Sequence, residues 1–149
     1  MEEDPGFIVR FFDKAYESLN IVELTTSPVA AISGVSDADA EDLKTAFNIE
    51  TVEDLATNKY VRIAQSISCF SDCSGQILDK GYESDEFVEL ANKPVSAISG
   101  VSEGDAALLQ KAFHIKTIKD LADNKYVAIA QTTESLASLV QFLRTMSVS

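Results

Sequence analysis

The sequence is poor in the residues that most chemistry depends on, and each scarcity removes a class of function. There is a single histidine, His114, so no histidine-based metal cluster and no cysteine–histidine pair backed by a second histidine can be assembled. Two cysteines, Cys69 and Cys73, do not make a paired metal-ligand set. Four residues apart on a helix they share one face with side chains roughly parallel, which disfavours a disulfide and reads as two reduced, small hydrophobes. Basic residues are half as numerous as acidic ones, 12 against 24, giving a net charge of −12. A nucleic-acid backbone is held by Lys and Arg that displace counterions, so this balance repels nucleic acid and anionic membranes at long range. No run approaches the roughly 20 apolar residues of a membrane span. The opening Met1-Glu2-Glu3-Asp4-Pro5 is acidic where a secretory signal is basic, and a cytoplasmic location is expected. Phosphate-binding loops and Gly-x-Ser-x-Gly elbows are missing, so neither a cofactor nor enzymatic activity is expected.

What is present is repetition. Pro28-Val29 recurs as Pro94-Val95, a period of 66, and at that offset Ala31-Ile32-Ser33-Gly34-Val35-Ser36 returns unchanged as Ala97-Ile98-Ser99-Gly100-Val101-Ser102. Ala46-Phe47, Asp54-Leu55-Ala56 and Asn58-Lys59-Tyr60-Val61 return as Ala112-Phe113, Asp120-Leu121-Ala122 and Asn124-Lys125-Tyr126-Val127. The register runs without a gap from Asp13 to Gln65, which identifies a tandem duplication. The turn-like stretch Ser71-Asp72-Cys73-Ser74-Gly75 suggests a division into modules 1–70 and 71–149, packed as two domains or as one pseudo-symmetric unit.

The punctuation of each copy predicts an all-α fold. Pro28 and Pro94 suit the first turn of a short helix that stops at Gly34 or Gly100. Ser36 and Ser102 read as N-caps, with Asp39 and Asp105 three residues on as partners in a capping box, and Thr51 with Asp54 and Thr117 with Asp120 repeat the device. Asn58 and Asn124 end the third helix, and Tyr60 and Tyr126 open the fourth. Phe7, Ile8, Phe11, Phe12, Ala15, Tyr16 and Leu19 form an apolar stripe near the start. Leu136, Leu139, Val140 and Leu143 form another near the end, and both are expected to be core.

The run Val29-x-x-Ile32-x-Gly34-Val35-Ser36-x-x-x-Ala40-x-x-Leu43, repeated from Val95 to Leu109, resembles the helix-hairpin-helix motif. Its continuation through Ala56 is similar to the segment that follows such hairpins in recombinase N-terminal domains and in the C-terminal domain of the bacterial RNA polymerase α subunit, both SAM-like helical modules. The resemblance covers 28–58 and 94–124. It implies candidate binding turns at Gly34, Val35, Ser36 and at Gly100, Val101, Ser102, where backbone N–H groups at a helix N-terminus would approach a phosphate. Family members that bind DNA carry a second glycine where Ser36 and Ser102 stand, and the first copy crowds its turn with Asp37, Asp39, Glu41 and Asp42. The second copy carries a candidate basic patch of Lys111, His114, Lys116 and Lys119 where the first has Thr45, Asn48, Glu50 and Glu53. Asp37-x-Asp39-x-Glu41 imitates the start of a calcium loop but has Asp42 where glycine is needed and Asn48 where the bidentate acid is needed, so no metal is expected. The residues therefore favour a non-enzymatic protein-interaction or self-association module. A nucleic-acid-associated role through the second turn and its lysines is the alternative, and a ligand pocket between the copies is a third.

Overall fold

The computed structural model describes residues 7–16, 19–77 and 86–148. Among them the chain is all-α: eight α-helices, short 3-10 turns, and no strand beyond three isolated bridges. In chain order the helices are α1 (Ile21–Thr25), α2 (Asp37–Phe47), α3 (Val52–Thr57) and α4 (Lys59–Ile77), then α5 (Glu86–Ala91), α6 (Glu103–Phe113), α7 (Ile118–Ala122) and α8 (Lys125–Val148).

Local chemistry sets the boundaries. Helix α2 starts where the Ser36 hydroxyl accepts from the Asp39 N–H at 3.0 Å and the Asp39 carboxylate accepts from the Ser36 N–H at 3.2 Å. Ser102 and Asp105 do the same at α6, with the same distances. Thr51–Asp54 and Thr117–Asp120 close equivalent boxes on α3 and α7. Each box satisfies N–H groups that the first helical turn otherwise leaves without partners. Asn58 accepts from the N–H groups of both Tyr60 and Val61, and Asn124 from those of Tyr126 and Val127, so these asparagines start the long helices. Pro28 and Pro94 stand just before 3-10 turns, Val29–Ala31 and Val95–Ala97, each a single turn rather than a short α-helix. Helices α2 and α6 end on Asn48 and His114, both left-handed at φ of 58° and 60°.

The copies interlock. Helix α2 lies along α6, while α4 packs on α7 and α5 of the second copy and α8 packs on α3 and α1 of the first. One continuous apolar cluster results, drawing Leu43, Phe47 and Leu55 from one copy and Leu109, Phe113 and Leu121 from the other. The long helices meet at Gln65 and Gln131, whose amides exchange hydrogen bonds at 2.7 and 2.8 Å. These residues are 66 apart, so the pair marks an approximate two-fold axis relating the copies.

Three expectations change. Ser71 to Gly75 is not a turn; it lies inside α4, held there by packing on the second copy that includes the Phe70–Phe87 ring contact at 4.4 Å. Tertiary contact has overridden a turn-rich composition. The N-terminal apolar stripe is not one helix but two 3-10 pieces, Phe7–Phe11 and Lys14–Tyr16, with Phe12 bridged to Ile32 between them; Ile8 and Phe12 are buried and Ala15 is exposed. The Leu136, Leu139, Leu143 stripe is not core: these residues are 39%, 52% and 53% exposed, and only Val140 is half-buried. The buried face of α8 runs instead through Val127, Ala130, Thr133 and Ala137, small side chains that let the helix lie close against α3 and α1. Cys69 is exposed, and the side chain of Cys73 lies outside the described residues.

Candidate functional site

The two glycine turns are built alike and each is covered by the other copy. Gly34 and Gly100 sit at φ of +97° and +96°, where a side chain is strained. The Tyr126 hydroxyl donates to the Gly34 carbonyl at 3.4 Å, and the Tyr60 hydroxyl donates to that of Gly100 at 3.5 Å. A Cβ on either glycine would stand 2.7 Å from the tyrosine oxygen. Glycine is therefore required twice over, by its own dihedral and by a ring from across the axis. Each ring is fixed from behind, Tyr60 against Phe47 and Tyr126 against Phe113, both with centroids 4.7 Å apart.

Two of the donors that a phosphate would use at each turn have internal acceptors. The Val35 and Val101 N–H groups bond to the carbonyls of Ile32 and Ile98, and both valines are buried. The Ser36 and Ser102 N–H groups are taken by the carboxylates of Asp39 and Asp105. An anion arriving at either turn meets a carboxylate already occupying the helix N-terminus.

The second copy's cations are spread rather than converging on its turn. The Gly100, Val101, Ser102 turn precedes α6, whereas Lys111, His114 and Lys116 lie at or beyond the helix's far end, a rise of about 12 Å from the first helical residue to Lys111. Lys111 reaches Asp42 on α2 at 3.8 Å, and Lys119 pairs with Asp123 at 3.2 Å. That hydrogen bond, with the charges of Asp123 and Asp72, raises the Lys119 ammonium above its ordinary value. Lys116 and His114 are exposed, and His114 serves as the left-handed terminus of α6. Sequence reasoning had missed this role. The signal was available in the equivalent residue Asn48, since asparagine is the side-chain-bearing residue that best tolerates that conformation.

Asp42 is the seam's irregular member. Its side chain is only 13% exposed, its Oδ2 has no hydrogen-bond partner, and the Lys111 that faces it is 72% exposed. The positions equivalent to this pair are Leu108 and Thr45, so the seam between α2 and α6 is ionic on one side of the axis and lacks that charge pair on the other. On α7, burial raises the Asp120 carboxyl, but hydrogen bonds from the Thr117 and Lys116 backbone and the Thr117 hydroxyl, with the Lys116 charge, together bring it below its ordinary value.

The largest departure from a closed surface is the end of α8. Leu139, Phe142, Leu143 and Met146 are between 52% and 60% exposed. At about 100° per residue they and Leu136 cover a continuous arc of the helix opposite the face of Ala130 and Ala137. On the inward side stand Ser138 and Gln141, which with Val22, Thr25 and Glu53 border a small cleft against α1 and α3. The amphipathicity of this segment is thus inverted, apolar outward and polar inward. Among the described residues no group of three His, Cys, Asp or Glu could hold a metal ion, and no helix is long and apolar enough to cross a membrane.

Comparison of the chain with protein-family models, with curated proteins and with solved structures finds no match in any of the three.

Proposed function

We propose that this protein is a non-enzymatic protein-interaction module that presents the C-terminal half of α8 to its partner. The observation that carries the reading is the inverted amphipathic segment. Four large apolar side chains, Leu139, Phe142, Leu143 and Met146, stand more than half exposed on one segment. A contiguous apolar surface of this kind is ordinarily a contact site. The glycine turns support the reading from the other side. The Ser36 and Ser102 N–H groups and the Gly34 and Gly100 carbonyls are engaged within the chain, so the segment that resembles a helix-hairpin-helix works here as the joint between two copies.

The test is a photo-crosslinking amino acid placed at Phe142 in the full chain, irradiated in the cells that make it. Covalent adducts with protein are expected at position 142, and far fewer from a probe at exposed Lys59 on the body of the molecule. Equal labelling at both positions, or none at 142, would overturn the reading.

A further inference from the structure

From the spacing and charge of the exposed arc we infer that its partner is a second copy of this chain, the two α8 segments pairing about a two-fold axis. This rests on the interaction reading above and names its partner.

Leu136, Leu139, Leu143 and Met146 are separated by three, four and three residues, the spacing of a seam that two helices can share. A single repeated seam complements itself, which a two-fold contact requires. Charge selects the same occupant. The chain carries −12, yet from Gln131 to Ser149 its only charges are Glu134 and Arg144, which cancel. Two copies can therefore meet here without the like-charge repulsion that opposes their approach elsewhere. A basic foreign partner would be recognised by acids flanking the seam, because flanking charges set partner choice in helix pairing. The positions that flank the seam, Ser135, Val140 and Phe142, are all uncharged.

The duplication supplies an internal control. Leu139, Phe142, Leu143 and Met146 correspond to Cys73, Gln76, Ile77 and Lys80. Three of these four are not large hydrophobes, so the second copy alone carries the full set. The contact is between short helical segments and falls at the small end of specific interfaces, below about 1,200 Å² in total. A dimer of micromolar dissociation constant, visible only in a concentration series, is the expected consequence.

Sedimentation velocity on the full chain from about 1 to about 300 μM brackets that range. The wild type should shift from monomer to dimer across the series. The double variant Leu139→Lys/Leu143→Lys should weaken the dimer by about 30-fold or more with unchanged helical circular dichroism, since both side chains are over half exposed. Leu143→Met should retain dimerisation. A wild type that stays monomeric throughout, or a double variant that dimerises as well as the wild type, would overturn the inference. Crosslinks from position 142 to other proteins alone, with a monomeric chain, would sink self-pairing and leave the interaction reading standing. A monomeric chain without adducts would sink both.

Discussion

Helices α4 and α8 hold equivalent places in the two copies, start on the same Asn-Lys-Tyr-Val sequence and cross at Gln65 and Gln131, yet their ends have nothing in common. Near the axis, the glycine turns use equivalent residues in one environment: Tyr60 covers Gly100 as Tyr126 covers Gly34, so a change in either copy breaks a contact with the other. Away from the axis, the twins face different neighbours. Glu50 and Lys116, both exposed, can diverge without reaching across. The duplication thus separates positions held by packing between the copies from positions left for another purpose, and the second set includes the apolar end of α8.

The two copies depend on each other most at the glycine turns. Gly34→Ala should cost about 3 kcal/mol, combining a left-handed alanine with a Cβ pressed against the Tyr126 hydroxyl. Gly100→Ala should cost the same if the axis is as symmetric in energy as in geometry. Urea denaturation of both variants, and of Gly34→Ala in a Tyr126→Ala background, separates the two causes. The double variant should recover the steric part and leave about 1–2 kcal/mol of backbone strain relative to Tyr126→Ala alone. If Gly34→Ala proves neutral, the turn is not locked by its tyrosine.

The Gln65–Gln131 pair lies on the axis, yet its symmetry is incomplete. Both amides bond to each other, but Gln131 alone also donates to the Ala56 carbonyl, at 3.3 Å. Gln131→Ala should therefore destabilise by about 2 kcal/mol and Gln65→Ala by about 1, a difference set by one further hydrogen bond. Equal losses in thermal unfolding would show that the Ala56 bond contributes nothing.

The Asp42–Lys111 seam is the place where copying the second module into the first should help. Asp42 is mostly buried with one oxygen lacking a hydrogen bond, and its twin is Leu108. Asp42→Leu should raise stability by about 1 kcal/mol, because an imperfectly satisfied, half-solvated ion pair is generally worth less than apolar packing of similar volume. Lys111→Ala should lower it by a smaller amount by leaving the carboxylate alone. A loss on Asp42→Leu would mean that the pair sets the register of α2 on α6.

Much of this was legible beforehand. The duplication, the four capping boxes and the starts of α2, α3, α6 and α7 follow from residue types whose side chains reach only their own helix ends, so local sequence determines them. Most of what escaped depends on the other copy. Ser71 to Gly75 has turn composition and is helical because the second copy packs on α4. The spacing of Leu136, Leu139 and Leu143 announces an apolar face but not its direction. That was fixed by Val127, Ala130, Thr133 and Ala137, whose small size gives a weak hydrophobic signal and the closest approach. The candidate turns were located, but a sequence cannot show that a tyrosine 92 residues away donates to one of them.

The smallest effect expected concerns acid. Asp120 closes the capping box of α7, and its carboxyl lies below the ordinary value of 3.8 because hydrogen bonds from Thr117 and Lys116, helped by the Lys116 charge, outweigh the effect of burial. A carboxyl lowered in the folded state binds its proton more weakly there than in the unfolded chain. Its contribution is therefore fully present above the ordinary carboxylate value and is lost as pH falls through the lowered folded one. The group is largely exposed, so solvent screening keeps that contribution well under about 1 kcal/mol. Asp120→Asn retains an acceptor for the Thr117 N–H but removes the charge, and the stability of the variant should fall less steeply than the wild type's between about pH 4 and pH 2. Lys116→Glu, which installs the first copy's residue, should move the group back toward the ordinary value and lessen the same acid sensitivity. Chemical denaturation at closely spaced pH values measures both changes. Wild type and variants that lose stability in parallel would assign the acid response to the other carboxylates, and the α7 box would then be a matter of geometry alone.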